Sequence, residues 1–473
     1  MYGNPFFPTR IMNKIAKTLL VGAAAFSMTA LGSCHIYQKY ETPTSTELTR
    51  AYAEAKETPS DSTALGNLPW QKVFTDPLLQ DLISRALANN TNLRNAQLNI
   101  EAARAGLKGA RLAYLPSIAL APNGAGASYR GSDIAWSYSI PAQASWEIDI
   151  FGKLLNSKRS AQAQVYQSEA YAQAVRSQII GGVASTYYAI AAVKDQLALS
   201  RNTAVLWKES VETMRNLKLA GRVTEAAVVQ SAAQYYNILA SITDLEVSLD
   251  QLNNSMSLLL NTLPQEWQVA SKVELGLPAS YQEGVPMQAL SSRPDVRAAE
   301  QSLAVAYYAT NSARAAFYPG LTISVNGGFT NLLGSMVKNP GGWFYQLAGS
   351  LVAPLFARGQ NIARLEAAKA QQQQAMNTFE YTLMSASAEV SDALTVYTKS
   401  LEKSEALRLQ VENLEKSVEY TNDLLLYSTG QTTYLEVLTA QQSLLGSQIS
   451  QISNDLARAR AVISLYQSLG GGR

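Results

Sequence analysis

The sequence of 473 residues almost lacks cysteine and histidine: it has one of each, Cys34 and His35, side by side near its start. A disulfide needs two cysteines, small-domain zinc sites need several Cys or His ligands, and a catalytic triad of the serine-protease kind needs a histidine. The chain beyond residue 35 therefore has no disulfide framework, no Cys/His zinc site and no His-dependent triad.

Charged residues are also few, at 16% of the chain, where soluble domains average about 25%. Three of the 38 basic residues and none of the 36 acidic ones precede Cys34, so the remainder has 35 basic against 36 acidic residues, a net charge of −1. Nucleic-acid-binding domains usually have a basic surplus. We therefore expect no nucleic-acid partner.

The first residues have the pattern of an export signal. Lys14 and Lys17 precede an uncharged run over residues 18–33, which is too short to span a bilayer as a helix. The run ends in Leu31-Gly32-Ser33-Cys34, which resembles the lipobox of bacterial lipoproteins. We expect a signal peptide over residues 1–33 and lipid attachment at Cys34; the alternative is an ordinary signal peptide with an incidental thiol.

Residues 40–68 are rich in Thr, Ser, Glu and Pro and lack clear periodicity, which predicts a lipidated N-terminal tether over residues 34–68. Asp76-Pro77 then predicts the start of a helix, with Asp as N-cap and Pro in the first turn. This helical region is expected to continue, with breaks, to Ala113 and to stop before Pro116, because a proline disfavours helix in the residue before it.

The chain contains a long internal repeat. Arg94 matches Arg297 and Pro116 matches Pro319, each pair 203 residues apart. Further along, Phe151 matches Phe356 at a distance of 205 residues, and Gly221 matches Gly430 at 209. This period is far longer than that of solenoid repeats. We predict two versions of one substructure, over residues 69–262 and 290–473, joined by a proline-broken linker over residues 263–289.

Each repeat contains a predicted β-hairpin, over about residues 117–150 in the first and 321–356 in the second. Their strands have few charges, a loose alternation and aromatic residues near their ends, and are about as long as the ten or so residues that cross a bilayer as tilted strand. A soluble sandwich hairpin is the alternative. Four strands cannot close a membrane barrel, since about eight is the minimum, so spanning strands require several chains to share one barrel.

A very long helix follows each hairpin, over residues 152–219 and 360–428, and a second helix returns to about residues 261 and 469. The turns at the two tips contain Gly221 and Gly430, the residue type that ends helices in the left-handed conformation. Steps of three and four predict a coiled-coil seam in the returning helices. The seam residues are Leu435, Leu438, Gln442, Leu445, Ile449, Ile452, Leu456, Ala459 and Ile463, with Leu407, Val411, Leu414 and Val418 opposite them and Leu245, Leu249, Leu252, Met256 and Leu259 in the first repeat.

Catalytic motifs are scarce. Glu147 and Asp149 stand two residues apart, so on a strand they share a face, and paired carboxylates serve glycoside hydrolysis. Polar residues at a strand-to-helix junction explain the same pair without catalysis. We expect no enzyme, no cofactor and no metal site.

Several segments together resemble a known family, the outer-membrane efflux lipoproteins. These are the TolC-like (NodT-like) exit ducts of tripartite pumps of the resistance-nodulation-division type. The segments are Trp146-Glu147-Ile148-Asp149-Ile150-Phe151-Gly152, Arg293-Pro294-Asp295-Val296-Arg297-Ala298-Ala299-Glu300, Ala353-Pro354-Leu355-Phe356, Leu435-Glu436-Val437-Leu438-Thr439-Ala440-Gln441 and Leu469-Gly470-Gly471-Gly472.

The resemblance implies a mixed α and β membrane protein that forms a homotrimer. Four strands from each chain would build one shared outer-membrane β-barrel, and the coiled-coil helices a periplasmic α-barrel, with residues 263–289 in a belt around it. The duct would be lipid-anchored through Cys34 in the outer membrane of a Gram-negative bacterium and would export drugs or other small molecules. A type I protein-secretion duct and a coiled-coil lipoprotein that does not span the membrane remain alternatives.

The resemblance also implies where the partners bind and where the duct closes. Helix tips at Gly221, Arg222, Gly430 and Thr432 would face a periplasmic adaptor, the membrane fusion protein, which links the duct to an inner-membrane efflux pump. Closure would involve the start of the last helix, with Tyr434, Glu436 and Thr439 as candidates for the periplasmic aperture. Thr439 stands where relatives often have Asp, so a double acidic ring is not expected.

Overall fold

The structure, a computed structural model, describes residues 37–57, 65–128, 130–131, 133–270, 287–330, 342–427 and 434–472. The helices are α1 (Glu47–Glu57), α2 (Trp70–Val73), α3 (Pro77–Asn89), α4 (Thr91–Leu112), α5 (Lys153–Leu219), α6 (Glu225–Leu259), α7 (Met287–Ser292), α8 (Pro294–Ala315), α9 (Gln360–Tyr427) and α10 (Tyr434–Ser468). The strands are β1 (Ser117–Leu120), β2 (Asn123–Ala127), β3 (Ala135–Ile148), β4 (Gly320–Thr330) and β5 (Gly342–Val352).

The chain divides into two compact units. The sheet unit comprises Met1–Thr42, Ile100–Ser168 and Ala299–Phe379, and the helical unit comprises Pro43–Asn99, Glu169–Ala298 and Glu380–Arg473. Both repeats contribute to each unit. In the described part of the chain, no helix has the combination of length and hydrophobicity that crossing a membrane requires.

The sheet unit is built on one antiparallel sheet in the order β1-β3-β4-β5, with β2 also paired to β3. β1 pairs with the end of β3 (Ser117 with Ser145) and β2 with its beginning (Asn123 with Ser139). The outer strand is interrupted at Pro122, whose nitrogen has no hydrogen to donate to a ladder. β1 and β2 together therefore act as one strand, and each predicted hairpin contributes two strand lengths.

Both predicted helix-to-strand transitions occur at the prolines. α4 ends at Leu112 and β1 begins at Ser117, directly after Pro116; α8 ends at Ala315 and β4 begins at Gly320, directly after Pro319. The indole of Trp146 donates a hydrogen bond to the carbonyl of Tyr114 at 2.9 Å. This bond fixes the end of β3 against the segment that enters β1.

In the helical unit, two predicted helix boundaries are confirmed: the N-cap at Asp76 and the helix-ending glycine at Gly221. Asp76 accepts a hydrogen bond from the amide of Leu78 at 2.9 Å at the start of α3. Gly221 has φ +71°, and the amide of Arg222 donates to the carbonyl of Leu217 at 2.9 Å. Together with the bond from Gly221 to Lys218 at 2.9 Å, this is a Schellman motif.

The prediction of a tether over residues 34–68 was wrong for residues 47–57. Residues 47–57 form helix α1, in which Thr49 and Tyr52 are fully buried. α1 packs against α7, which is more than 200 residues away in the sequence. The buried residues Thr49, Tyr52 and Ala55 recur at steps of three, the spacing of one helix face, so the segment does have a helical pattern.

The predicted seam of α10 is only partly buried in the single chain. Leu438, Ala459 and Ile463 are buried, whereas Leu435 and Gln442 are exposed. Val437 is buried instead, since the start of α10 also packs against α5. A helix that packs against two neighbouring helices buries residues on more than one stripe of its surface. The predicted seam contains only one such stripe.

Candidate functional site

The two faces of the sheet differ sharply in chemistry. Side chains alternate between faces along a strand, and directly paired residues share a face. The pairing of Ile140 with Phe329 and of Val325 with Leu347 therefore defines one face. That apolar face contains Ile118, Leu120, Trp136, Tyr138, Ile140, Ala142, Ala144, Trp146, Ile148, Leu321, Ile323, Val325, Gly327, Phe329, Trp343, Tyr345, Leu347, Gly349 and Leu351.

The opposite face is mainly polar and small. It contains Ser117, Ala119, Asn123, Ala125, Ser137, Ser139, Pro141, Gln143, Ser145, Glu147, Thr322, Ser324, Asn326, Gly328, Thr330, Phe344, Gln346, Ala348, Ser350 and Val352. On the apolar face Trp343, Tyr345 and Leu347 are each more than 70% exposed. A sheet that exposes its apolar face and has a polar reverse face has the pattern of a membrane barrel wall.

The tip turn between α5 and α6 exposes both polar and apolar side chains. Gly221 and Arg222 are exposed, and Leu219 just before them is 85% exposed. Lys218 and Glu225 form an ion pair across the turn. The turn thus combines an exposed leucine with exposed charges.

Behind this turn lies a small hydrophobic cluster that we call the tip cluster: Met214, Val228, Tyr434, Val437 and Leu438. It joins the α5–α6 pair to the start of α10. The hydroxyl of Tyr434 lies 3.3 Å from Oγ of Ser210, and the side chain is 5% exposed. Tyr434 is therefore a packing residue inside the chain and not a surface residue.

Glu436 and Thr439 lie on the outside of α10. Both are exposed, and at i and i+3 they are neighbours on one helix face. The hydroxyl of Thr439 donates to the carbonyl of Leu435 at 2.7 Å, and Glu436 lies in the first turn, where the helix dipole favours a negative charge. Cys34, Gly430 and Thr432, the other predicted site residues, lie outside the described residues.

A second polar site surrounds Arg293, which the sequence marked only as part of a segment that resembles the family. The residue is 5% exposed, and its guanidinium donates to the carboxylate of Asp295 at 3.0 and 2.6 Å and to that of Glu389 at 2.7 Å. It also donates to the carbonyls of Ser468 at 3.1 Å and Ala386 at 3.4 Å. One side chain thereby ties the start of α8 to the middle of α9 and the end of α10.

The charges in this network compensate each other. Burial alone would raise the pKa of Asp295, but its hydrogen bonds to Arg293 and the charge of the guanidinium outweigh burial and lower it. A groove of about 830 Å³ runs beside the network, lined by Asp392, Arg460 and side chains of α5, α9 and α10. Nothing in its donor set points to a particular small ligand.

Glu147 and Asp149, the candidate glycosidase pair, both have structural partners. Glu147 forms an ion pair with Lys153 at 2.8 Å, and Asp149 accepts from the amide of Leu155 at 2.7 Å in the first turn of α5. These two contacts hold the start of α5 against the end of β3. Among the described residues, no group of three or more His, Cys, Asp or Glu is placed to hold a metal ion.

Comparison with known proteins gives consistent matches. Residues 82–262 and 285–471 match the family model described as outer membrane efflux protein. The chain is 29% identical over 415 residues to the probable outer membrane lipoprotein SilC of Salmonella typhimurium. This alignment covers 85% of the present chain and 88% of SilC. It is 27% identical over 466 residues to the solvent efflux pump outer membrane protein SrpC of Pseudomonas putida, with 94% and 97% covered.

Among solved structures, the fold is similar to that of CusC. CusC of Escherichia coli is named a cation efflux system protein. The TM-score is 0.80 with 26% identity, and the alignment covers 92% of this chain and 99% of that chain. The similarity thus extends over nearly the whole of both chains.

Proposed function

Because the chain belongs to the outer membrane efflux protein family, whose model matches both of its halves, we propose that it is the exit duct of a tripartite efflux system for small molecules. It is an outer-membrane efflux protein, and its family consists of channels and not of enzymes. In the proposed mechanism the duct is passive. An inner-membrane pump supplies the energy, and a periplasmic adaptor joins the pump to the duct.

The observation that carries this proposal is the division of the sheet into an apolar and a polar face. A barrel wall needs apolar side chains toward lipid and polar ones toward a water-filled interior. Exposed Trp343, Tyr345 and Leu347 suit the first environment, and Ser324, Asn326 and Gln346 suit the second. We assign the strands to the outer membrane on this ground.

Three chains are proposed to share the barrel. Each sheet is open at two edges, β1–β2 on one side and β5 on the other. An open edge in lipid leaves unpaired backbone groups that cost several kcal/mol each, and four strand lengths are too few to close. Pairing β5 of one chain with β1–β2 of the next removes every edge, and three copies give twelve strand lengths.

The two repeats would then supply equivalent helix pairs to a periplasmic tunnel. The predicted repeats over residues 69–262 and 290–473 lie close to the two stretches that match the family model, 82–262 and 285–471. The segment over residues 263–289 would lie in the belt between them. Its described start is fixed by Trp267, which donates from its backbone amide to Asn253 at 3.2 Å and from its indole to Ser257 at 2.9 Å.

The tips are proposed as the adaptor-binding and gating end. Exposed Leu219 and Arg222 would contact the adaptor, with Gly430 and Thr432 at the second tip. Glu436 and Thr439 would line the aperture. Tyr434 would not line the aperture itself but would position these two residues, since its burial in the tip cluster fixes the first turn of α10.

The names of the relatives support the proposed lipid anchor and the proposed class of cargo. SilC is named a lipoprotein, which supports lipid attachment at Cys34 after removal of residues 1–33. Relatives are named for efflux of cations and of solvents. These names favour small molecules over secreted proteins as cargo.

The proposal is tested by deleting the gene in its own host and restoring it. We expect lower inhibitory concentrations of several unrelated toxic compounds, with recovery on complementation. Export of secreted proteins is measured in parallel. Unchanged susceptibility together with a lost secreted protein would replace small-molecule efflux with type I secretion.

A further inference from the structure

The helices that enter the sheet, α4 and α8, have different charges on corresponding faces. Arg104, Lys108 and Arg111 follow each other at steps of four and three, so they lie on one face of α4, and all three are exposed. At the repeat offset of 203, the corresponding residues of α8 are Tyr307, Asn311 and Arg314. The first repeat therefore has three cations where the second has one.

The face of α8 is covered by the chain's own N-terminal segment. The ring of Tyr40 meets that of Tyr307 edge to face at 5.8 Å, and the amide of Tyr40 donates to the hydroxyl of Tyr308 at 3.0 Å. Asn311 is 1% exposed, whereas its counterpart Lys108 is exposed. The corresponding face of α4 can therefore contact a molecule outside the chain.

The end of α4 lies directly beside the apolar face of the sheet. Trp146, on that face, donates to the carbonyl of Tyr114, and Nζ of Lys158 lies 5.5 Å from the centroid of the Tyr114 ring. Arg111 donates to Gln162 of α5 at 3.3 Å. A basic cluster at the end of α4 and the start of α5 is thus continuous with the apolar face.

Apolar side chains complete this surface. Leu112, Leu115 and Ile118 are each more than half exposed. Tryptophan and tyrosine at the edge of an apolar surface, with lysine and arginine beside them, are typical of a membrane interface. In the proposed duct the helices project into the periplasm, so this edge meets the periplasmic leaflet, which consists of phospholipids.

The cations of this surface are not neutralised within the described part of the chain. Lys108, Arg111 and Lys158 form no ion pair with a described residue. The acidic residues of the same junction, Glu147 and Asp149, are already bonded at the start of α5. The surface therefore has a surplus of positive charge and suits an anionic partner.

A second copy of the chain does not supply that negative charge. The proposed pairing of β5 with β1–β2 of the next chain brings the start of α9 beside α4 of that chain. Arg358 and Arg364 at this start are exposed and form no ion pair with a described residue, and Glu366 is the only acid from residue 358 to residue 369. Two basic surfaces would face each other, and an anion between them would be attracted by both chains.

We propose that an anionic phospholipid of the periplasmic leaflet binds at this junction between adjacent chains, with its phosphate at the cations and its acyl chains along Leu115 and Ile118. The cations, which we call the basic seam, are Lys108, Arg111 and Lys158 of one chain with Arg358 and Arg364 of the next. The proposal rests on the proposed duct function. The lipid would join neighbouring chains and would not be cargo.

The test is native mass spectrometry of the full-length lipidated protein, delipidated in detergent and titrated with phosphatidylglycerol or with phosphatidylcholine, whose headgroup has no net charge. A Lys108→Gln, Arg111→Gln double variant removes two cations of the basic seam. A Lys208→Gln, Lys403→Gln double variant is the matched control, because both lysines are exposed and belong to the helical unit.

We expect phosphatidylglycerol to bind several-fold more tightly than phosphatidylcholine. A basic cluster gains about 1 kcal/mol per Lys or Arg at an anionic surface, which is about fivefold in a dissociation constant. The Lys108→Gln, Arg111→Gln variant should therefore lose about 25-fold in affinity for phosphatidylglycerol, and Arg358→Gln about fivefold. The control variant should bind like the unmodified protein.

Equal affinity for the two lipids, or equal losses in the two double variants, would overturn the proposal. If the Lys108→Gln, Arg111→Gln variant does not assemble, Arg358→Gln decides, because this side chain has no ion pair to lose among the described residues. Unchanged affinity in Arg358→Gln would then overturn the site between chains. The same spectra give the mass of the unmodified protein, and a single chain there would instead contradict the shared duct.

Discussion

Val325 of β4 lies directly opposite Leu347 of β5, and both side chains belong to the apolar face of the sheet. The next residue, Asn326, points to the polar face, where its partner is Gln346. If the apolar face meets lipid, these two adjacent positions of β4 should respond oppositely to charge.

We predict that Val325→Lys destabilises the barrel by about 2–4 kcal/mol, the cost of a lysine on the lipid face near the bilayer midplane. Asn326→Lys is the control, because its side chain would enter a water-filled interior. Unfolding in lipid vesicles with increasing guanidinium measures the difference. Equal destabilisation by the two lysines would contradict the assignment of the faces.

Close approach of backbones should make Gly328 indispensable to the sheet. A methyl group at Gly328 would lie 2.1 Å from the carbonyl oxygen of Ile140 in β3, whereas one at Gly349 in β5 would meet no atom within 4 Å. Gly328→Ala should therefore disturb the pairing of β3 and β4, at a cost of roughly 1–3 kcal/mol or more.

The measurement is the fraction of protein that reaches the assembled, heat-resistant form in outer-membrane fractions. Gly349→Ala should assemble like the unmodified protein. Normal assembly of Gly328→Ala would show that β3 and β4 do not pair in the observed register.

Local sequence signals predicted much of the fold because their causes are local. Asp76 caps α3, Gly221 adopts the left-handed conformation, and Pro116 and Pro319 each stand just before a strand. In each case one residue's own geometry or hydrogen bonding sets the structure. The alternation of the strands was visible only loosely, and the pairing register was needed to show two distinct faces.

The features that could not be predicted depend on distant partners. Arg293 was visible only as part of a segment that resembles the family, and its bonds to Glu389 and Ser468 cross 96 and 175 residues. Helix α1 is stabilised by α7, and the burial of Tyr434 depends on Met214 of α5. No local pattern contains such information.

Tyr187 and Asp76 link α5 to the start of α3. The hydroxyl of Tyr187, a fully buried side chain, donates to Asp76 and accepts from the amide of Ala270 at 2.9 Å. Tyr187→Phe would leave both partners unsatisfied, and we expect a loss of about 1–3 kcal/mol, measured as a lower melting temperature at neutral pH.

The same tyrosine predicts a pH dependence. Burial raises the pKa of Tyr187; the hydrogen bond from Ala270 lowers it, and the bond to Asp76 raises it again. The unfolded chain therefore releases this proton first, so stability should fall as the pH rises above about 10. Tyr187→Phe should show a smaller fall between about pH 9 and pH 11; an unchanged alkaline slope would show that Tyr187 does not contribute to it.

Glu436 should control block of the duct by multivalent cations. Two unit charges 4 Å apart interact by about 1 kcal/mol in water, which is about fivefold in a binding constant, so removing one carboxylate from each chain of a ring should weaken block roughly fivefold or more. The prediction is that Glu436→Gln weakens block and Thr439→Asp, which adds a second acid on the same face, strengthens it. Planar-bilayer titration with a trivalent cation on the periplasmic side measures both, and a blocking constant unchanged in Glu436→Gln would remove this residue from the aperture.

The sharing of one barrel by several chains is most directly tested by counting the chains. Native mass spectrometry of the protein extracted from outer membranes in mild detergent gives the number of copies without assuming a shape. We predict three copies, which supply twelve strand lengths and leave no open sheet edge. A single chain would contradict the shared barrel, and any other stable number would contradict a barrel built from three chains.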